Sequence, residues 1–171
     1  QGGCLCGVTR SHIRIAYNAA CPTVAHHHAV WVARFSPCGL MIASAEDANA
    51  MGLSGDILMS SVRTGTPTAL VRGIYGRTKH LSFSEDGEKL ASGGTDGRIR
   101  IFNTVTGVLI RWMLAADPIM NCPVSGVQFS PTNGHFLLST TTGGNQPPVA
   151  REWNVTNGTT IQRFVGDTIA R

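Results

Sequence analysis

Three adjacent histidines, His26-His27-His28, are the residues best equipped for chemistry, because neutral imidazole is a common metal ligand. Neighbours on a strand point to opposite faces, so without a loop at most two of the three reach one ion. A solvated turn accounts for His27 and His28 more simply than a metal site does. Cys4 and Cys6 stand one residue closer than the usual zinc pair, and no second pair follows. The five cysteines, Cys4, Cys6, Cys21, Cys38 and Cys122, are odd in number and irregularly spaced, which suits free thiols better than a disulfide framework. Gly93-Gly94-Thr95-Asp96-Gly97 and Gly143-Gly144-Asn145 have the flexibility to wrap a phosphate. They lie between strand-like apolar runs, however, and a phosphate loop needs a helix N-terminus, so they are read as tight turns. Ser, His and Asp are plentiful, yet none stands in a nucleophile-elbow context. The chain therefore nominates no catalytic residue, metal or cofactor, and is read as non-enzymatic.

Composition points to the scaffold that holds these residues. Only 14% of the 171 residues are charged, against roughly 25% in an average soluble domain, and 20 are glycine. Gly supplies the positive φ that tight turns require, so short strands are favoured over long charged helices. With 42% hydrophobic residues there is material for a core, and an all-β fold is expected. The net charge of +4 comes from single, scattered Lys and Arg positions and gives only weak support for a polyanionic partner such as RNA. No apolar stretch approaches a membrane span, so no membrane partner is expected.

A pattern repeats three times. Val32-Ala33-Arg34-Phe35-Ser36-Pro37-Cys38-Gly39, His80-Leu81-Ser82-Phe83-Ser84-Glu85-Asp86-Gly87 and Gly126-Val127-Gln128-Phe129-Ser130-Pro131-Thr132-Asn133-Gly134 each lead into a short apolar run ending in Ser44, Ser92 or Ser139. The phenylalanines are 48 and 46 residues apart, within the roughly 40–50 of a propeller blade. Apolar residues alternate up to each Phe, as a half-buried strand requires, and the Ser-Pro-x-Gly or Ser-x-Asp-Gly stretch is a turn. Further runs at 57–61, 99–103 and 151–154 lead to Gly65, Gly107 and Gly158, and an apolar stretch follows each glycine. Four strands per unit result.

The run from Leu81 through Asp86-Gly87, Gly93-Gly94-Thr95-Asp96-Gly97 and Ile99-Arg100-Ile101-Phe102-Asn103 closely resembles a WD repeat, and the resemblance extends from His26 to Gly166. It implies an all-β partial propeller with three four-stranded blades and an incomplete N-terminal blade strand. It further implies a scaffold for protein–protein interactions within a multi-subunit assembly, located in the cytoplasm or nucleus. An RNA- or ribonucleoprotein-associated module is the alternative, and a propeller fragment of a larger enzyme the weaker one. The family's Trp-Asp positions hold Ser60-Ser61, Phe102-Asn103 and Trp153-Asn154. Of its internal polar network, the resemblance leaves His26 with Ser44, and Ser92 with Asp96. Asp96 lacks a His partner, so it is expected to bond turn amides or Ser92.

The expected units are residues 1–25 (an incomplete blade or closing strand), 26–73, 74–119 and 120–166 (blades), and 167–171 (the start of a further blade). Ile13-Arg14-Ile15-Ala16-Tyr17 reads as either a third strand or an outer fourth strand. Three complete units are fewer than the roughly four to eight of a closed propeller, so the chain reads as an excerpt, or as a ring completed by another subunit. Two units are longer than the second between their second and third strands. The additions, residues 46–52 and 143–148, offer Glu46, Asp47, Asn49, Met51, Asn145, Gln146, Pro147 and Pro148 as candidate partner-binding residues, since loops on a rigid scaffold concentrate binding groups.

Overall fold

The computed structural model describes residues 26, 30–46, 55–72, 74–115, 122–142 and 148–165. All regular structure among them is β-strand, and no helix is long and apolar enough to cross a membrane. Twelve strands form three four-stranded antiparallel meanders. The first contains β1 (Val30–Phe35), β2 (Met41–Glu46), β3 (Ile57–Ser61) and β4 (Pro67–Val71). The second contains β5 (Thr78–Phe83), β6 (Lys89–Gly94), β7 (Arg98–Asn103) and β8 (Leu109–Leu114). The third contains β9 (Val124–Phe129), β10 (Phe136–Thr141), β11 (Val149–Asn154) and β12 (Thr159–Val165). The all-β, four-strand expectation is borne out for the three repeats. The expected strand at 13–17 and the start of a further blade at 167–171 lie outside the described residues.

The first two turns predicted from sequence close by the same bonds. Between β1 and β2, the Met41 amide donates to Ser36 Oγ at 3.0 Å and the Gly39 amide to the Ser36 carbonyl at 2.8 Å. Between β5 and β6, Lys89 donates to Ser84 Oγ at 2.9 Å and Gly87 to the Ser84 carbonyl at 2.9 Å. Gly39 and Gly87 share φ of 73°, which no L side chain adopts cheaply. The serine is thus the internal acceptor of both turns.

The sheets pack on one another at their faces. Alternate residues of the middle sheet serve two separate cores: Leu90 and Phe102 join Ala43, Ile57 and Met59 of the first sheet, whereas Ala91, Ile99 and Ile101 join Val124, Leu137 and Trp153 of the third. This is the period-2 alternation of a strand buried on both sides. Fully enclosed Ile57, Leu90, Ile99, Ile101 and Leu137 each contribute about 1.5–3 kcal/mol by burial. The repeat phenylalanines show the dependence on a neighbour. Phe83 packs toward the first sheet at 9% exposure and Phe129 toward the second at 3%, while Phe35, at the matching position of the first sheet, is 51% exposed.

β5 lies between β1 and β9, and the Phe129 amide donates to Ser82 Oγ at 3.0 Å, joining two inner strands. At the outer edge, Arg111 of β8 donates to the carbonyls of Asn157 (3.2 Å) and Thr156 (2.9 Å) in the β11–β12 turn. Between these, Gly93 of β6 lets β9 approach closely: a Cβ there would stand 2.5 Å from Val124 Cγ1 and 2.8 Å from Val127 Cγ1. Both neighbours are β-branched and stiff, so neither yields easily. Gly93→Ala is therefore expected to destabilise the protein by about 1–3 kcal/mol, measured as a lower urea midpoint. An unchanged midpoint would contradict this close packing of the second sheet on the third.

Candidate interaction site

The connections between second and third strands gather at one end of the blades, and hydrogen bonds show how. In the first sheet the Gly55 amide donates to the Ile74 carbonyl at 2.9 Å. In the second, Thr95 donates to the Arg77 carbonyl at 3.0 Å, and in the third, Thr142 donates to the Pro123 carbonyl at 3.3 Å. Each such connection is thereby stitched to a segment that links one blade to another. Trp31, near the start of β1, shares this end, with the Arg77 guanidinium 4.2 Å above its ring. Beside Arg77, Tyr75 is 82% exposed, and Pro148 is exposed where the β10–β11 connection re-enters β11. Rigid aromatic area next to a cation is the composition of a binding hot spot, and sequence reasoning missed it because single scattered residues form no motif.

Of the loop candidates, Asp47, Asn49, Met51, Asn145, Gln146 and Pro147 lie outside the described residues, as do His27, His28, Cys4 and Cys6. Glu46 departs from the loop role expected of it. It is the last residue of β2, buried, with its carboxylate 3.2 Å from His26 Nδ1. The other ring nitrogen, Nε2, lies 2.6 Å from Ser44 Oγ. Ser44 and Glu46 are two apart on one strand, so they share a face, and the strand's extension past Ser44 brings Glu46 to the imidazole.

The other blades satisfy the same region differently. In the second, Ser92 is buried on β6 opposite Arg100. Asp96, in the β6–β7 turn, accepts the Arg98 amide at 3.2 Å and pairs through its other oxygen with the Arg100 guanidinium. In the third, Trp153 Nε1 donates to buried Ser139 Oγ at 2.8 Å, a pair the sequence reading overlooked. Asn103 Oδ1 accepts the amides of Val105 (3.0 Å) and Thr106 (2.9 Å), and Asn154 Oδ1 accepts Thr156 (2.9 Å) and Asn157 (3.3 Å). An amide oxygen there caps the turn as a carboxylate would, which explains why Asn stands at the Asp position.

A cavity of about 560 Å³ opens along the inner strands, lined by Arg34 and Phe35 of β1, His80 and Ser82 of β5, and Val127 and Gln128 of β9. The His80 imidazole is held below its ordinary range by burial first, then by Arg34 and Lys79. Among the described residues, no carboxylate lines the cavity. Among the same residues, no three His, Cys, Asp or Glu side chains gather closely enough to hold a metal ion.

The WD domain, G-beta repeat family model matches residues 70–103, which run from β4 through the β5–β7 hairpins. Residues 70–103 thus match a WD repeat. The ribosome biogenesis protein ERB1 of Chaetomium globosum is 32% identical over 74 residues, 43% of this chain and 9% of that protein. Among solved structures, the RRP9 WD40 repeats superpose with a TM-score of 0.70 at 21% identity, covering 85% of this chain and 41% of that one. U3-55K gives 0.70 at 20%, covering 85% and 42%. The Cps50 (Swd1) β-propeller domain of Myceliophteria thermophila gives 0.66 at 19%, covering 85% and 41%. The chain thus spans less than half the length of each of these proteins.

Two outcomes follow for the polar positions. Trp153→Phe removes the only donor the indole brings to Ser139 and is expected to cost about 1–3 kcal/mol in equilibrium unfolding, with fold retained by circular dichroism. His80, lowered when folded, binds its proton less readily than in the unfolded chain, so its contribution is lost as pH falls below the ordinary histidine value of 6.5. His80→Gln should accordingly flatten the drop in melting temperature on acidification through that range, and an unaltered slope would refute the assignment.

Proposed function

We propose that this chain is a non-enzymatic scaffold that mediates protein–protein interactions within a larger complex, using the connector end of its blades. The observation that carries this is the convergence there of the three second-to-third-strand connections with Trp31, Arg77 and Tyr75. Asp47, Asn49, Met51, Asn145, Gln146 and Pro147 belong to the proposed surface by their place in the two longer connections, together with Pro148. His26, Ser44, Ser92 and Asp96 are read as structural, holding strands and turns beneath it, and Glu46 joins them. No cofactor is part of this reading. WD-repeat propellers are generally non-catalytic, and no catalytic role is proposed.

The blade units 26–73, 74–119 and 120–166 are taken as the working divisions of the scaffold. Completion of the ring by further chain or by another subunit is part of the same proposal, supported by the half-exposed Trp31 and Phe35 on β1. A ribonucleoprotein setting is the second reading, favoured by the name of the relative, a ribosome biogenesis protein. Either setting suits a cytoplasmic or nuclear location.

The test compares proteins that co-purify with the full-length protein before and after two changes. These are Tyr75→Ala and replacement of residues 145–148 by Gly-Ser-Gly-Ser, each checked for retained fold. Loss of a defined partner set is the expected result. Retention of every partner by both variants would overturn the choice of face. Partners released by ribonuclease, with steep salt dependence, would favour the ribonucleoprotein reading.

A further inference from the structure

Arg100 and Arg151 occupy the same place in successive blades. Each stands two residues before the third-strand aromatic, Phe102 or Trp153, and each is paired across the ladder with a buried serine, Ser92 or Ser139. In the second blade the arginine is neutralised by Asp96, four residues earlier in the turn. In the third blade the position four residues before Arg151 is Pro147, and the sequence from Phe136 to Ala150 contains no acidic residue at all.

The consequences are visible in the structure. Arg151 Nη1 is buried without a hydrogen-bond partner among the described residues. Its cross-strand neighbour on β12 is a second cation, Arg163, whereas β8 places Trp112 opposite Arg100. Burial and then Arg163 push the Arg151 guanidinium below its ordinary range, against a smaller opposing effect of Cys122. A desolvated guanidinium donor is costly unless a charged or polar group meets it, and two adjacent arginines with no acid beside them among the described residues raise that cost.

We infer that Arg151 and Arg163, paired across β11 and β12 of the third blade, are a recognition site for one carboxylate from an acidic segment of a protein partner. The precedent is internal: the same strand position in the preceding blade already holds a carboxylate, and a guanidinium fork matches that group's planar geometry. A nucleic-acid backbone would require a row of free cations beside them. The next arginine there, Arg111, is committed to the Asn157 and Thr156 carbonyls. The site rests on the scaffold reading above and gives the partner a chemistry: an Asp- or Glu-bearing segment.

The probe is an acetylated tetraglutamate peptide, titrated against the full-length protein by fluorescence anisotropy. Arg151→Leu and Arg163→Gln are each expected to weaken binding by about tenfold or more, as loss of a charge-assisted bond does. Arg63→Gln, an exposed cation in the first blade, should leave it unchanged. Arg163 is exposed, so its variant keeps the test sound even if Arg151→Leu disturbs packing. Equal binding by wild type and both variants, an equal loss with Arg63→Gln, or preferential capture of an oligouridylate through the same two arginines would overturn the site. If authentic partners still bind and ignore both substitutions, the arginine site fails and the scaffold reading stands.

Discussion

The rest of this molecule depends on one constraint: a four-stranded blade has two faces, and each must be covered by something. The middle sheet shows the solution, sending Leu90 and Phe102 to one core and Ala91, Ile99 and Ile101 to the other. Gly93 is the price of the tighter of these contacts, since the approach of Val124 and Val127 leaves no room for a Cβ. No blade has a private core, so the stability of each is mainly that of its interfaces, as in other stacked repeats.

Polar groups inside the blades obey a looser rule. Each blade must satisfy the donors and acceptors near its second and third strands, but it does so with different residues. His26, Ser44 and Glu46 serve the first blade, Asp96 and Arg100 the second, and Ser139 and Trp153 the third. What is held constant is satisfaction rather than identity, because an unmet buried polar group costs more than the bond itself contributes. Arg151 stands out against that background, with Nη1 unpartnered among the described residues, and the site inferred for it rests on that.

Much of the fold was legible from sequence because the repeat carries its own punctuation. Ser84-Glu85-Asp86-Gly87 predicts a turn through a mechanism that the structure displays atom by atom, and alternation up to Phe83 and Phe129 predicts their burial. The same reasoning misjudges Phe35, since burial of that face depends on what packs over it rather than on the strand's own pattern. Glu46 was illegible for a related reason: whether a carboxylate ends a strand or begins a loop turns on where the ladder stops, and that is set by the partner strand and by His26. The Trp31–Arg77 stack and the Arg151–Arg163 pair join residues 46 and 12 positions apart. Neither has a local signature, and only sheet register brings them together.

The proposed recognition role rests on a stacked-blade core, connections stitched to one end and an arginine pair that meets no acid among the described residues. Hydrogen exchange of the full-length protein, free and within its purified assembly, tests that account most directly. Slowed exchange on assembly is expected in the segments around Tyr75, Thr95 and Pro148 and in β12 beside Arg163, with β6 and β7 unchanged. Identical exchange in both states at the connector end, or protection confined to the β3–β4 turn around Arg63, would contradict it.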